Sequence, residues 1–261
     1  SKRSQLRSKP VGTSTTSTFR RSSSEPQRPM TPLIERECNG RVARLAHTTR
    51  VDGDLSPSNV ARDELVKRRR ALIAHPWRAV RQVHSDRVVE VTHGDPVVHI
   101  ADALITDESN LVLAVHSADC VPVGFISDRG AVAAAHAGWK GLELGVLEAT
   151  VRRIRHLTSS GVITAAVGPH IRVAEYEFGA RDLERLRRRF GDTVAGTTKA
   201  GRPALDLTAA IASELDRLGV AVETWSVDCT ASDGDRYWSY RARREPGRIA
   251  LTAWIEDAVD D

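Results

Sequence analysis

Apolar residues alternate between short runs and helical spacings along most of the chain. Short apolar runs predict strands near residues 111–116, 121–126, 131–135, 162–167, 221–227 and 248–254, with a further strand region over 79–91. Helical spacing predicts helices over residues 61–74, 141–155, 180–189 and 206–218. Because strands and helices alternate without an internal repeat, and strands outnumber those of a simple doubly wound sheet, we expect a mixed α/β (α+β) fold in a single domain.

Residues 1–29 lack this pattern. They contain twelve Ser or Thr residues and no periodic apolar positions, so they cannot offset the entropy cost of folding. We expect a disordered basic tail over 1–29, in front of one globular domain over 30–261. A transit peptide is the alternative for the tail, and Met30, the only methionine, stands where the globular pattern begins.

Charge and composition exclude two classes of protein. The chain has a formal net charge of +4, but the tail alone holds seven Lys or Arg against one acid, so the other 232 residues carry 31 basic and 33 acidic side chains. A net −2 gives this part no general attraction to nucleic acid. No apolar stretch approaches the roughly 18 residues of a membrane span. Three widely spaced cysteines fit a reducing cytoplasm better than a disulfide framework.

A hairpin is predicted between the apolar runs at 121–126 and 131–135. A three-residue loop with Gly130 in the left-handed position is a common connection of this kind. If paired residues sum to 256, Cys120 faces His136 across adjacent strands, about 4.8 Å apart.

A thiol beside an imidazole is typical of either a metal site or a Cys/His nucleophile pair. Asp119 and His136 interrupt apolar strands, where an unpaired polar group would cost about 1 to 3 kcal/mol. His84 stands at a similar polar break and is a natural third ligand, leaving an ion one open position. His116 also lies near this centre, whereas His47, His75, His93, His99 and His156 are expected mostly at the surface.

Six ordered motifs resemble those of one family, the laccase-domain, or multicopper polyphenol oxidase, family of YfiH-like proteins. The resemblance spans about residues 45–255. The motifs are Arg81-Gln82-Val83-His84, Ala101-Asp102-Ala103-Leu104, Ser117-Ala118-Asp119-Cys120-Val121-Pro122-Val123, Ala134-Ala135-His136-Ala137-Gly138-Trp139-Lys140-Gly141, Gly168-Pro169 with Tyr176-Glu177-Phe178-Gly179, and Cys229-Thr230 with Ser239-Tyr240-Arg241.

The resemblance implies a four-layer mixed-sheet fold and a Zn²⁺ or Cu²⁺ ion held by His84, Cys120 and His136. It implies purine nucleoside phosphorylase activity on adenosine, inosine and methylthioadenosine with phosphate, and adenosine deamination as a second activity. A copper-dependent polyphenol oxidase is the lower-ranked alternative, because laccase sites need many more histidines than three motif positions supply.

Further roles follow for individual residues. The candidate catalytic residues are Asp119, Cys120 and His136. Asp119 would act as the proton carrier in deamination, and a turn-capping role is the alternative for this carboxylate. Lys140 and the glycine-rich turn at 137–141 are candidates for binding phosphate, with Arg50 as a second cation. Gln82 is a candidate for substrate binding.

The sequence also departs from the family. The family's usual Arg after Gly-Trp is Lys140 here, which loses the bidentate fork. Residues 51–59 match the usual substrate rim only in part. Because this rim is altered, a non-catalytic binding protein stays open as an alternative. The Cys120 and His136 pair leaves a further alternative open, a Cys/His hydrolase acting on cell-wall precursors, with Cys120 as nucleophile and His136 as base.

Overall fold

The computed structural model describes residues 30–257 apart from 96 and 97. The expected tail over 1–29 lies outside the described residues, as do the last four positions. Within the described part, no helix is both long and apolar enough to cross a bilayer.

Two mixed sheets form the centre of the molecule. The first has the order β1-β2-β13-β6-β3 and the second has the order β12-β9-β7-β8-β5-β4. β10 and β11 form a separate antiparallel ribbon. The strands are β1 (Thr31–Cys38), β2 (Arg41–His47), β3 (Trp77–Ala79), β4 (Val88–Glu90), β5 (Ala103–Thr106), β6 (Val112–Ser117), β7 (Val121–Ser127), β8 (Ala131–Ala137), β9 (Ile163–Val167), β10 (Ala195–Thr197), β11 (Pro203–Leu205), β12 (Ala221–Trp225) and β13 (Ile249–Asp257).

Helices cover the outer faces of the two sheets. They are α1 (Arg62–Leu72), α2 (Trp139–Leu144), α3 (Val146–Leu157), α4 (Ala180–Phe190), α5 (Leu207–Arg217) and α6 (Tyr240–Arg243). Single 3-10 turns occur at Arg50–Asp52, Val173–Glu175 and Asp192–Val194.

The alternation of side chains along each strand builds four layers. Ile126 and Val132 of the second sheet pack against Leu251 of the first in a core between the sheets. Neighbouring strand residues such as Phe125 point the other way, into a core shared with α3, α4 and α5. On the far side of the first sheet, residues of α1 pack against Trp77. The expected single-domain, four-layer mixed α/β fold is therefore confirmed.

The predicted helix over 141–155 is two helices. Gly145 adopts a left-handed conformation, with φ of 98°, and both ends α2 and begins α3. The apolar spacing continues through the break, so it did not reveal the change of direction.

Strands β1, β2, β5, β10 and β11 were not predicted. A signal for the first pair was present, because Asn39-Gly40 separates two alternating segments. Both residues have positive φ, and Cys38 pairs directly with Arg41 across this two-residue turn.

The β7–β8 hairpin has the predicted loop but a different register. Gly130 has a φ of 86°, as expected, and Ser127 pairs with Ala131. Paired residues therefore sum to 258 rather than 256, and the partner of His136 is Pro122. The predicted pairing of Cys120 with His136 is wrong. A sum of 256 would close the loop with residues 126 and 130, one position earlier on each strand than the observed pair Ser127 and Ala131.

Candidate metal centre and active site

Three segments bring His84, Cys120 and His136 together at one end of the neighbouring strands β7 and β8, in the middle of the second sheet. His84 lies in the loop after β3, Cys120 comes directly before β7, and His136 lies near the end of β8. One ligand atom from each lies within 4.8 Å of the other two. Sγ of Cys120 is 3.7 Å from Nε2 of His84, and the two imidazoles meet edge to face, with centroids 4.9 Å apart. The juxtaposition expected from the sequence exists, although by a route other than direct strand pairing.

Asp102 supports both histidines. Its buried carboxylate lies 2.9 Å from Nδ1 of His136, which leaves Nε2 of that ring facing Cys120. The same carboxylate accepts hydrogen bonds from the backbone N–H groups of Val83, His84 and Ser85, at 3.2, 2.9 and 2.6 Å. A carboxylate behind a ligating histidine fixes its tautomer and orientation. Asp102 thus fixes the orientation of the His136 ring and the backbone conformation at His84.

The backbone around His84 is held in an uncommon conformation. His84 has a φ of 61°, in the left-handed region that few residues other than glycine adopt without cost. The three N–H groups directed at Asp102 offset that cost, because hydrogen bonds to a charged acceptor are strong.

Gly138 provides room for the three side chains. A Cβ at this position would lie 2.6 Å from Cδ2 of His84 and 3.0 Å from Sγ of Cys120. Its φ of −72° suits any residue, so close approach, and not backbone conformation, requires glycine here.

The charges of the group favour an anionic sulfur. Burial alone would raise the pKa of Cys120, but the imidazoles of His136 and His84 lower it to about 6. Burial would lower the pKa of His136, but the Cys120 sulfur and Asp102 raise it. For Asp102 itself, burial is outweighed by hydrogen bonds from His136 and Ser85, which hold its pKa well below the usual range. A thiolate and two directed imidazole nitrogens form the donor set that Zn²⁺ and copper ions prefer, so the residues fit a bound ion.

The three side chains open into a pocket of about 720 Å³. That volume suits a small ligand of nucleoside size. Arg81 and Arg248 place positive charge on its wall, and Tyr240 adds an aromatic face. The lining residues are Ser56, Pro57, Ser58, Asn59, Val80, Arg81, Gln82, His84, Val98, His116, Ser117, Ala118, Cys120, His136, Tyr240 and Arg248.

The predicted substrate-binding residues occupy different environments. Gln82 lines the pocket, but its amide donates to the carbonyl of His116 at 2.7 Å and accepts from the His116 N–H at 2.8 Å. Lys140 is exposed, with Nζ 5.5 Å from the centre of the Trp139 ring. Arg50 forms an ion pair with Glu245 at 2.7 Å. Neither Lys140 nor Arg50 lines the pocket as the described residues form it.

Asp119 is buried within hydrogen bonds. Its Oδ1 accepts from the hydroxyls of Thr230 and Ser239, at 2.8 and 2.6 Å, and its Oδ2 accepts from the Arg241 N–H at 2.6 Å. These bonds tie the segment before Cys120 to the 230–241 region. The donors come from a distant segment, so the arrangement supports a structural role for Asp119 that is broader than the turn-capping alternative expected from the sequence.

Some features escaped sequence reasoning. No role was predicted for Asp102. Its carboxylate stands between apolar neighbours in Ala101-Asp102-Ala103-Leu104, and such a polar break could have indicated a functional residue. Arg248 follows the last motif and carried no signal of its own. The expectation of a surface position is wrong for His47, which is 2% exposed because it packs near Tyr237.

The fold and the site define a four-layer α/β protein with one His/Cys/His group able to hold a metal ion. Family comparison agrees, since a model described as multi-copper polyphenol oxidoreductase laccase matches residues 42–256. The chain belongs to this family of laccase-like, YfiH-type proteins.

Several curated sequences resemble the chain. A purine nucleoside phosphorylase of Streptomyces coelicolor is 37% identical over 194 residues, covering 72% of this chain and 79% of that protein. A purine nucleoside phosphorylase of Xylella fastidiosa is 34% identical over 186 residues, covering 67% and 71%. The family resemblance inferred from the motifs is confirmed.

Solved structures show the same fold. A Neisseria meningitidis protein of the DUF152 family superposes with a TM-score of 0.74 and 25% identity, covering 87% of this chain and 99% of that one. YlmD from Geobacillus stearothermophilus gives a TM-score of 0.73 and 25% identity, covering 86% and 99%.

Proposed function

We propose that this chain is a cytoplasmic, metal-dependent purine nucleoside phosphorylase acting on adenosine, inosine and methylthioadenosine, with adenosine deamination as a second activity. The observation that carries the proposal is the His84, Cys120 and His136 group at the wall of a pocket large enough for a nucleoside. Relatives named purine nucleoside phosphorylase over two thirds of the chain support the choice of reaction.

Phosphorolysis requires two reactants to be held side by side. The bond from C1′ of the ribose to N9 of the purine breaks, and a phosphate oxygen forms a new bond to C1′. The proton that hydrogen phosphate gives up leaves with the base, so the products are free purine and ribose 1-phosphate. Orientation of the two reactants accounts for much of the rate gain in such a step.

His84, Cys120 and His136 would hold a Zn²⁺ or Cu²⁺ ion, and Asp102 would fix the orientation of His136. A bound ion would supply Lewis acidity at this point of the pocket. The chain's own contribution is two imidazoles held side by side and a thiolate whose charge offsets that of the ion.

Phosphate needs positive charge next to the sugar. Lys140 with the 137–141 turn, and Arg50 as a second cation, are the residues that we propose from the sequence for this role. Arg81 and Arg248 are the alternatives that the pocket offers, since both line it. Arg248 is partly engaged, because its Nη1 donates to the carbonyls of residues 245–247.

A cysteine hydrolase is the second candidate. Cys120, His136 and Asp102 stand in the order of nucleophile, base and orienting carboxylate, and such a triad needs no metal. His84 favours the metal proposal, because a hydrolase has no need of a second imidazole 3.7 Å from its nucleophile.

A laccase reaction has less support. Within the described residues, His84, Cys120 and His136 are the one group of three or more such side chains close enough to hold an ion. Two histidines and one cysteine match the equatorial ligands of a single blue-copper site, but laccase chemistry combines several copper ions, which one such group cannot hold.

The test of the proposal is product analysis with and without phosphate. The purified chain, loaded with Zn²⁺, is incubated with adenosine, and adenine, hypoxanthine, inosine and ribose 1-phosphate are separated. Because inosine is also a proposed substrate, we expect ribose 1-phosphate in an amount equal to the sum of adenine and hypoxanthine, and only when phosphate is present. Without phosphate we expect inosine alone. Absence of adenine, hypoxanthine and inosine in every condition, or adenine release independent of phosphate, would contradict the proposal.

A further inference from the structure

The charged side chains of the pocket favour an anionic ligand. Arg81 and Arg248 line the pocket, and no Asp or Glu lines it as the described residues form it. The sulfur of Cys120 would be a ligand of the proposed ion, which offsets its negative charge. A cleft lined by one sign of charge attracts ligands of the opposite sign. The two arginines therefore indicate that one part of the bound ligand carries negative charge.

The guanidinium of Arg248 is anchored at one nitrogen and open at the other two. Its Nη1 donates to the carbonyls of Glu245, Pro246 and Gly247, at 3.1, 2.6 and 2.8 Å. Its Nε and Nη2 make no hydrogen bond within the described residues, and neither is among the buried polar atoms that lack a partner there. These two nitrogens are therefore accessible to a ligand. An arginine edge of this kind binds two oxygens of a phosphate at once.

Arg248 is better prepared to bind an anion than Arg81. Cζ of Arg248 lies 6.0 Å from the centre of the Tyr240 ring, and Tyr240 also lines the pocket. The side chain of Arg81 is exposed and makes no hydrogen bond or ion pair within the described part of the chain. A side chain that is already ordered loses less conformational freedom when it binds. The anchored guanidinium is therefore the stronger candidate.

The loop before α1 is tied to the turn that carries Arg248. Oδ1 of Asp54 accepts hydrogen bonds from the N–H groups of Arg248 and Ser56, at 3.2 and 2.9 Å. Its Oδ2 accepts from Nδ2 of Asn59 at 3.0 Å, and the same amide donates to the carbonyl of Pro246 at 2.6 Å. That carbonyl is one of the three that anchor Nη1. Asp54 does not itself line the pocket as the described residues form it, so it reaches a ligand only through residues that do.

We infer that Arg248 binds the phosphate co-substrate through its Nε and Nη2 edge, and that Asp54 is a positioning residue that acts through Arg248. The inference rests on the proposed function, and it selects Arg248 from the cations considered above. Residues 51–59, where this chain departs from its family, then affect the phosphate side of the pocket.

Binding of inorganic phosphate tests the role of Arg248 without any turnover. Thermal unfolding of the Zn²⁺-loaded protein is measured against phosphate concentration, at an ionic strength held constant with KCl. We expect Arg248→Ala to weaken phosphate binding about ten- to hundredfold. Arg248→Lys keeps the charge but loses the fork, and should weaken it about three- to tenfold. Arg244→Ala is the matched control, because Cζ of Arg244 lies 5.1 Å from the same Tyr240 ring but Arg244 does not line the pocket; it should bind phosphate like the wild type.

Asp54→Asn tests the positioning role. Loss of a negative charge near Arg248 would by itself strengthen the binding of an anion, so weaker binding reports a lost orientation. We expect phosphate binding to weaken about three- to tenfold and KM for phosphate to rise equally, while KM for adenosine changes by less than about twofold. In an Arg248→Ala background, Asp54→Asn should have no further effect on phosphate, because the positioned group is missing.

Each outcome decides one part of the inference. Equal phosphate binding in wild type and Arg248→Ala, or no phosphate binding by the wild type, would overturn the role of Arg248. If Arg248→Ala does not fold, equal binding in Arg248→Lys and Arg244→Ala would overturn it. Equal rises of both KM values in Asp54→Asn, or additive losses in the double variant, would overturn the positioning role. A wild type that binds phosphate through Arg248 but cleaves no nucleoside would overturn the proposed function and leave the anion site standing.

Discussion

The carboxylate of Asp102 lies 2.9 Å from Nδ1 of His136, and this contact decides which nitrogen faces Cys120. Without it the imidazole could rotate or change tautomer, and the donor set would lose one of its three directed atoms. The same carboxylate holds the backbone that carries His84, so one buried charge organises two of the three candidate ligands.

Asp102→Asn should therefore weaken metal binding about ten- to hundredfold, the range found for residues behind metal ligands. An amide would place N–H groups against the N–H groups of residues 83–85 and disturb His84 as well. Competition with a chromophoric chelator measures the affinity. Ser85→Ala is the matched control, because it removes one hydroxyl donor at 2.8 Å and leaves the carboxylate in place. Equal affinities in Asp102→Asn and wild type would contradict this role.

Gly138→Ala should displace His84 and lower metal occupancy, because the new methyl group would overlap the imidazole and crowd Sγ of Cys120. Gly179→Ala is the comparison, since a Cβ there meets nothing within 4 Å and the residue has an ordinary φ of −66°. Metal content after dialysis against a weak chelator gives the readout. Full occupancy in Gly138→Ala would show that the site has more room than the structure indicates.

Asp119→Asn should destabilise the protein by about 1 to 3 kcal/mol, because an amide hydrogen would replace one of the accepting oxygens toward buried donors. Asparagine tolerates the φ of 97° at this position, so backbone strain is not added. Urea unfolding measures the change. Thr230→Val removes one of three donors and should cost less. If Asp119→Asn leaves stability unchanged but abolishes deamination, the proton-carrier role proposed from the sequence is favoured over the structural role of the Asp119 carboxylate.

Lys140→Ala tests the phosphate subsite proposed from the sequence. If Lys140 binds phosphate, phosphorolysis should fall about ten- to hundredfold while deamination is largely kept, since only phosphorolysis places an anion there. Arg248→Ala is measured beside it, because Arg248 lines the pocket and Lys140 does not. Adenine formed with phosphate gives the phosphorolysis rate, and inosine formed without phosphate gives the deamination rate. A selective loss in Arg248→Ala alone would move the subsite to that side of the pocket.

The local pattern of the chain predicted most elements and the three clustered side chains, whereas relations between distant segments required the structure. His84, Cys120 and His136 each interrupt apolar sequence, and that polarity is visible locally. The bond from Asp102 to the backbone of residues 83–85 depends on how two loops meet, which spacing does not encode. The predicted register of the β7–β8 hairpin was wrong for a similar reason. The sequence identified the loop, but it did not show that Ser127 and Ala131 are the pair that closes this loop.

Residues proposed for the substrate illustrate the same limit. Lys140 and Arg50 were chosen for their charge and their motifs, but the direction of a long side chain depends on neighbours such as Trp139 and Glu245. The place of Arg248 in the pocket becomes visible only when the distant segments of the pocket are assembled.

Metal content and phosphorolysis of Cys120→Ala, measured beside Cys229→Ala, test the central claim most directly. Cys120 belongs to the proposed ligand group, whereas Cys229 accepts a hydrogen bond from the Arg172 N–H at 3.4 Å and lies outside it. We predict that Cys120→Ala loses both the metal and phosphate-dependent cleavage of adenosine while staying folded, and that Cys229→Ala keeps both. Full metal occupancy in Cys120→Ala, or undiminished cleavage without metal, would contradict a catalytic ion held by His84, Cys120 and His136.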